Sequence, residues 1–94
     1  MIVRRRAIYN GKVQGVGFRF FCLKAAEEHG VSGWVRNLPD GSVELEAQGE
    51  ASTVERFLQH AASAHPWAKV NRWEAREARL QKDENEFRIK NNAI

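Results

Sequence analysis

The sequence is poor in the residues that build disulfide-bonded, metal-binding and membrane proteins. Its 94 residues include a single cysteine, Cys22, so no disulfide can form within the chain. No apolar run approaches the roughly 20 residues that cross a bilayer, and the charged residues 1–6 lack the apolar segment of a signal peptide. The histidines His29, His60 and His65 are scattered, with no cysteine at ligand spacing. We therefore expect a cytoplasmic protein with no membrane contact and no metal, whose histidines are structural or solvated.

The composition is that of an ordinary soluble domain. Hydrophobic residues make up 43% and charged residues 29% of the chain, which is typical of a globular protein. We expect residues 1–94 to form one domain, because a second would be too small to bury a core. The formal net charge of +3 suits an acidic small molecule and a nucleic acid about equally. Charge alone therefore does not choose the ligand.

Hydrophobic periodicity predicts the order β-α-β-β-α-β, with a short extra strand at the end. The predicted strands cover residues 3–10, 31–37, 42–48, 67–78 and 87–89, and the predicted helices cover residues 18–29 and about 52–64. Each helix has one apolar stripe, and the sheet has one apolar face. This combination predicts an α+β fold: a ferredoxin-like two-layer sandwich with two helices on one face of a mostly antiparallel sheet.

Glycines and polar residues mark the ends of these elements. Gly30 is expected to end the first helix in a left-handed conformation. Asp40 and Gly41 predict a hairpin between the second and third strands, and Gly49 is expected to end the third strand. Residues 52–55 (STVE) fit a capping box at the start of the second helix.

The alternation in residues 42–48 predicts a sheet with one covered face and one wet face. Val43, Leu45 and Ala47 point inward in this interpretation, and the residues between them face water. The arginines of residues 4–6 are then the solvated end of a strand, with a nucleic-acid patch as the alternative. Cys22 lies on the apolar stripe of the first helix, so we expect a small core residue rather than a nucleophile.

A glycine-rich loop, residues 11–19 (GKVQGVGFR), joins the first strand to the first helix. Its glycines allow backbone N–H groups to converge ahead of a helix N-terminus, which is typical of an anion site. Arg19 falls in the first helical turn, where the helix dipole disfavours a cation by about 0.3–1 kcal/mol. A bound anion would compensate, whereas the alternative is an ordinary glycine-rich turn with an arginine pointing into water.

Spacing argues against nucleotide and RNA sites. The loop lacks both the Lys-Ser/Thr ending of a Walker loop and the spacing of a dinucleotide fingerprint. Residues 17–20 (GFRF) resemble an RNA-recognition signature, but such domains place it on the third strand, which here has Glu44 and Glu46 and no aromatic residue. Asn37, at the end of the second strand, reads most simply as a turn former. Near the glycine loop, its carboxamide would instead suit the fixing of one water molecule.

Residues 11–19 (GKVQGVGFR), 33–37 (GWVRN) and 40–44 (DGSVE) together resemble the acylphosphatase family. The resemblance extends over essentially the whole chain, to the closing residues 87–89 (FRI). It implies a ferredoxin-like fold and the hydrolysis of small-molecule acyl phosphates to a carboxylate and inorganic phosphate, with no metal and no cofactor. Inorganic phosphate would then also bind as product and inhibitor. We expect a monomer.

The resemblance also implies a role for individual residues. Arg19 corresponds to the family's phosphate-binding catalytic arginine, and Asn37 to its water-orienting asparagine, with Gln14 leading into the phosphate loop. The backbone amides expected to bind phosphate are those of Gly15, Val16, Gly17, Phe18 and Arg19. Residues 64–66 (AHP) stand where many members have Gly-Pro, which leaves substrate preference open. The alternative function is a non-catalytic module that binds a phosphorylated ligand or RNA, with RNA disfavoured by the spacing above.

Overall fold

A computed structural model describes residues 1–93 and contains five strands and two helices in that range. The elements are β1 (Ile2–Lys12), α1 (Phe18–His29), β2 (Ser32–Asn37), β3 (Val43–Glu50), α2 (Ala51–Ser63), β4 (Lys69–Glu77) and β5 (Phe87–Ile89). The strands form one sheet in the order β4-β1-β3-β2-β5. All neighbours are antiparallel except β2 and β5, which are parallel. The predicted ferredoxin-like order is confirmed, and the short last strand extends the sheet at the β2 edge.

Both helices pack on one face of this sheet, as their apolar stripes predict. The strands contribute Ala7, Tyr9, Val35, Leu45 and Ala47 to the shared core, all at 0% exposure. The helices contribute their own buried stripes: Phe18, Cys22, Ala25 and Ala26 from α1, and Val54, Phe57, Leu58 and Ala61 from α2. Within the part of the chain that is described, neither helix is long and apolar enough to cross a membrane.

The predicted ends of the elements are confirmed in part. Helix α1 has the predicted bounds and ends at Gly30, which is left-handed with φ 73°. The predicted capping box at residues 52–55 is wrong. Helix α2 begins at Ala51, one residue before Ser52, and its N-cap is Glu50, which makes no side-chain hydrogen bond to the helix. Gly49 does not end β3 either. The strand continues because Gly49 pairs with Val3 of β1.

The face of the sheet away from the helices is partly covered, not simply wet. Arg4 is only 2% exposed, and its guanidinium donates to Glu46 at 2.5 Å and to Glu84 at 2.7 Å. Burial opposes the charge of Arg4, but the hydrogen bonds with Glu84 and Glu46 outweigh it and raise the pKa of the guanidinium. The expectation of a solvated arginine end is therefore wrong for Arg4, because the loop that carries Glu84 folds over it.

Glu44 forms a second charged cluster on the same face. Glu44 is 2% exposed, and its carboxylate accepts hydrogen bonds from Arg6 and from Arg36, its direct neighbour across β2 and β3. A buried carboxylate requires such partners, since an unpaired charge is costly to desolvate. The outward glutamates that the alternation predicts are thus present, but Glu44 is paired and buried instead of facing water.

We predict that Arg4→Ala lowers the free energy of unfolding by about 3 kcal/mol, because it leaves two partly buried carboxylates without their cation. Urea denaturation at neutral pH measures this loss. Arg72→Ala is the matched control, since Arg72 is exposed on β4 and should change stability by less than about 0.5 kcal/mol. Equal effects of the two substitutions would contradict a stabilising Arg4 cluster.

The same cluster predicts a pH dependence. Burial opposes the ionisation of Glu84, but hydrogen bonds from Arg4 and Ser32 hold its pKa below the usual value. The stability from this carboxylate is present above the ordinary glutamate pKa and is lost as the pH falls through the lowered one. Below about pH 4, the difference in stability between wild type and Arg4→Ala should therefore shrink.

Cys22 has the structural role that its position on α1 predicts. Its side chain is 0% exposed, and burial raises the pKa of the thiol to about 12. A thiol in this state is a poor nucleophile at neutral pH, because the thiolate is the reactive form.

The buried hydroxyl of Tyr9 also has a structural role. It donates to the carbonyl of Leu58 at 2.9 Å, which satisfies the one side-chain donor of this tyrosine.

Candidate functional site

The glycine loop between β1 and α1 has the backbone shape of an anion site. Gly15 (φ 75°) and Gly17 (φ 79°, ψ 18°) are both left-handed, a conformation that residues with a Cβ rarely adopt. Gly17 is followed directly by the right-handed turn of α1. Alternation of left- and right-handed residues turns successive N–H groups toward a common point, as in the concave sites that bind phosphate.

The N-terminus of α1 adds further unpaired donors to this loop. The first backbone hydrogen bond of the helix runs from the amide of Phe21 to the carbonyl of Gly17 at 3.0 Å. The amides of the three preceding residues have no carbonyl within the helix to bind, and no side chain of the described residues caps the helix start. Arg19 lies in this first turn, which contains no acidic residue. The loop and the helix start therefore form an electropositive site of backbone and side-chain donors.

Asn37 presents an unpaired acceptor at the end of β2. The residue is 9% exposed, and its Oδ1 atom is buried with no hydrogen-bond partner among residues 1–93. Buried side-chain oxygens in proteins are normally bonded, so an unpaired one calls for an explanation. An acceptor of this kind is suited to a water molecule or a ligand donor.

Gln14 ties the glycine loop to the hairpin that follows Asn37. Its Nε2 group donates to the carbonyls of Leu38 and Ser42, both at 2.8 Å. These two residues also bond to each other, from the amide of Leu38 to the carbonyl of Ser42 at 2.9 Å. The loop is therefore held against the residue next to Asn37. The sequence predicts only that Gln14 leads into the loop, because no local pattern shows which groups its side-chain amide contacts.

The chain after β5 links the two predicted catalytic residues. Arg19 donates from Nη1 to the Oδ1 atom of Asn92 at 2.9 Å, and the amide of Ala93 donates to the backbone carbonyl of Asn37 at 3.0 Å. Adjacent residues lie about 3.8 Å apart along a chain. Arg19 and Asn37 thus contact neighbouring residues at the same end of the sheet. The contribution of residues 92–93 has no signal in the sequence.

We predict that Gln14→Ala weakens the site more than the fold. The substitution removes two hydrogen bonds, worth about 1 kcal/mol each, and frees the loop from the hairpin. We expect phosphate affinity to fall about tenfold, measured by isothermal titration calorimetry. Gln59→Ala, on the exposed side of α2, is the control and should leave the affinity unchanged. A Gln14→Ala protein that binds phosphate like the wild type would show that the loop keeps its shape without this tether.

Metal ligands do not gather near this site. Among residues 1–93, no group of three or more histidine, cysteine, aspartate or glutamate side chains is placed to hold a metal ion. Cys22 lies in the core. The donors of the site are instead neutral amides and one guanidinium, which bind anions.

The fold and this site define a class: small α+β proteins with a glycine loop before the first helix and a buried asparagine at the end of a strand. The sequence model of the acylphosphatase family matches residues 5–89. An acylphosphatase of Geobacillus thermodenitrificans is 43% identical over 86 residues, which cover 92% of each chain. The solved acylphosphatase of Bacillus subtilis superposes with a TM-score of 0.87 at 34% identity, over 96% of this chain and 99% of that one. A solved acylphosphatase from Coxiella burnetii gives a TM-score of 0.88 at 35% identity, over 95% and 93% of the two chains. The chain belongs to the acylphosphatase family.

Proposed function

We propose that the protein hydrolyses the carboxyl–phosphate anhydride of small acyl phosphates, releasing a carboxylate and inorganic phosphate. The observation that carries the proposal is the unpaired Oδ1 of Asn37, buried at the end of the sheet where the chain from Asn92 to Ala93 joins it to Arg19. Family membership supports the same reaction. The substrate is anionic, and the site is built from donors.

In this proposal the phosphoryl group is bound by the amides of residues 15–19 and by the guanidinium of Arg19. A guanidinium presents two parallel N–H donors to a phosphoryl group, and such charge-assisted bonds are about twice as strong as neutral ones. Asn92, which accepts from Nη1 of Arg19 at 2.9 Å, would hold the arginine in place while its other donors face the ligand. Bound charge in turn relieves the unfavourable position of Arg19 at the positive end of the helix dipole.

The attacking water would be oriented by the carboxamide of Asn37. Its unpaired Oδ1 accepts one hydrogen from the water and so directs an oxygen lone pair at phosphorus, in line with the leaving carboxylate. The P–O bond to the new oxygen forms as the bond to the carboxylate oxygen breaks. The leaving carboxylate has a low pKa and requires no general acid. The water proton passes to a phosphoryl oxygen of the substrate, so positioning and charge stabilisation account for the catalysis.

The binding-module alternative has weaker support. RNA recognition on a sheet needs exposed aromatic side chains for base stacking, but Trp34 on β2 lies under two cations: the guanidinium of Arg36 at 5.1 Å from the ring centroid and the ammonium of Lys90 at 4.3 Å. The carboxylate of Glu44 lies on the same sheet and binds Arg36. The monomeric state and the cytoplasmic location stay predictions from the sequence.

The test is hydrolysis of benzoyl phosphate by the purified protein in the presence of a chelator, followed as release of inorganic phosphate. We expect saturable hydrolysis that inorganic phosphate inhibits competitively and that the chelator leaves unchanged. Phosphate binding without hydrolysis would support a binding module instead. Activity that the chelator abolishes would contradict the metal-free mechanism.

A further inference from the structure

The loop between α2 and β4 brings a third side chain to the glycine loop. The Nε2 atom of His65 lies 4.0 Å from the position that a Cβ would occupy on Gly17. His65 is half-buried, and its ring packs edge-on against Phe21, with the two centroids 5.1 Å apart. Phe18 also lies against the ring, at 6.4 Å between centroids. The ring is thus wedged beside the first turn of α1, with one nitrogen toward the loop.

The other ring nitrogen of His65 determines what Nε2 can do. The Nδ1 atom accepts hydrogen bonds from the amides of Trp67 at 3.1 Å and Ala68 at 2.9 Å. A ring nitrogen that accepts carries no proton, so in the neutral imidazole the proton lies on Nε2. His65 therefore presents an N–H donor at the glycine loop and cannot act there as a base. The backbone holds the donor in this tautomer before any ligand arrives.

We propose that His65 binds the phosphoryl group of the substrate through Nε2–H, as a further donor opposite the loop amides. The proposal rests on the proposed function, since the anion is the one held by the amides of residues 15–19. The Nε2 atom lies 4.0 Å from the Cβ position of Gly17. Hydrogen bonds join donor and acceptor at about 2.9 Å, so one phosphate bound at the loop can accept from the loop amides and from Nε2 at the same time.

The experiment separates this donor from the structural role of the same side chain. In His65→Asn, the Oδ1 atom stands at the position of Nδ1 and can accept from the same two amides, as asparagine does in turns. The donor at Nε2 is lost, together with the edge contacts of the ring with Phe21 and Phe18, and thermal unfolding reports on that loss of packing. The probe is inorganic phosphate, measured by isothermal titration calorimetry, with thermal unfolding as the check on folding. We expect phosphate to bind His65→Asn about tenfold more weakly while the melting temperature stays close to that of the wild type.

Two further variants make the result interpretable. His60→Asn is the matched control, because His60 also contacts Phe21, stacked at 5.5 Å, but has no atom within 4 Å of the Cβ position of Gly17, and it should bind phosphate like the wild type. Arg19→Ala reports on the site itself. If Arg19→Ala loses phosphate binding but His65→Asn keeps it, the His65 proposal is overturned while the proposed function stands. If the wild type binds no phosphate, both are overturned.

A measurement on the wild type covers the case in which His65→Asn unfolds. The side-chain nitrogen resonances of His65 should show a proton on Nε2 and none on Nδ1. Titration with inorganic phosphate should shift the Nε2–H resonance with the same dissociation constant that calorimetry gives. A resonance that does not move as the site fills would overturn the proposal.

Discussion

Arg19→Ala should lower kcat/KM for benzoyl phosphate by roughly 10² to 10³ and weaken the binding of inorganic phosphate in parallel. The reason is that the guanidinium supplies the full positive charge of a site whose other phosphate donors are neutral. Loss of one positioned donor in such a site costs on the order of 3–4 kcal/mol of transition-state stabilisation, which corresponds to 10² to 10³ in rate. Steady-state kinetics and calorimetry on the same protein measure the two effects.

The controls for Arg19 separate charge from geometry. Arg19→Lys keeps the charge but loses the planar fork that binds two phosphoryl oxygens, so we expect it to recover only part of the phosphate affinity. Lys24→Ala removes a cation from the exposed side of the same helix and should leave both kcat/KM and binding unchanged. An Arg19→Ala protein with normal phosphate affinity would rule out the proposed contact.

Asn37→Ala should abolish most of the turnover while leaving phosphate affinity nearly intact. We expect kcat to fall by about 10² to 10³, because the attacking water loses the acceptor that orients it, while the loop amides and Arg19 still hold the phosphoryl group. This split between kcat and phosphate binding distinguishes a water-orienting residue from a phosphate-binding one. A matching loss of phosphate affinity would place Asn37 on the phosphoryl group instead.

Stability provides an independent readout for the same variant. The Oδ1 atom of Asn37 makes no hydrogen bond to residues 1–93, so truncation removes a buried polar oxygen without breaking a bond of the fold. We therefore expect Asn37→Ala to melt at or slightly above the wild-type temperature, as is common where a functional site is retained at some cost in stability. Asn91 is an exposed asparagine in the segment after β5, and Asn91→Ala is the control that should change neither kcat nor melting temperature.

Much of the fold is readable in the sequence because its elements have strong local signals. The 3.6-residue stripe of α1 gives its bounds, Phe18–His29, and the last strand, Phe87–Ile89, also has its predicted limits. The pairing of β1 with β4 shifts its register between Asn10 and Gly11. The capping-box prediction fails at residues 52–55 because β3 runs directly into α2, and the amide of Ala51 bonds to the carbonyl of Met1 instead. A contact distant in sequence replaced a local cap.

The sequence by itself determined the order of elements, the inward face of the sheet and the conformation of the glycine loop, since each depends on residues within a few positions of one another. Only the tertiary structure decided that Arg4 is buried, that Gln14 ties the loop to the hairpin, and that His65 stands beside Gly17. These contacts join residues 24 to 80 positions apart. A side chain's partner at that distance is set by how strands and helices pack, and no periodicity along the chain reports it.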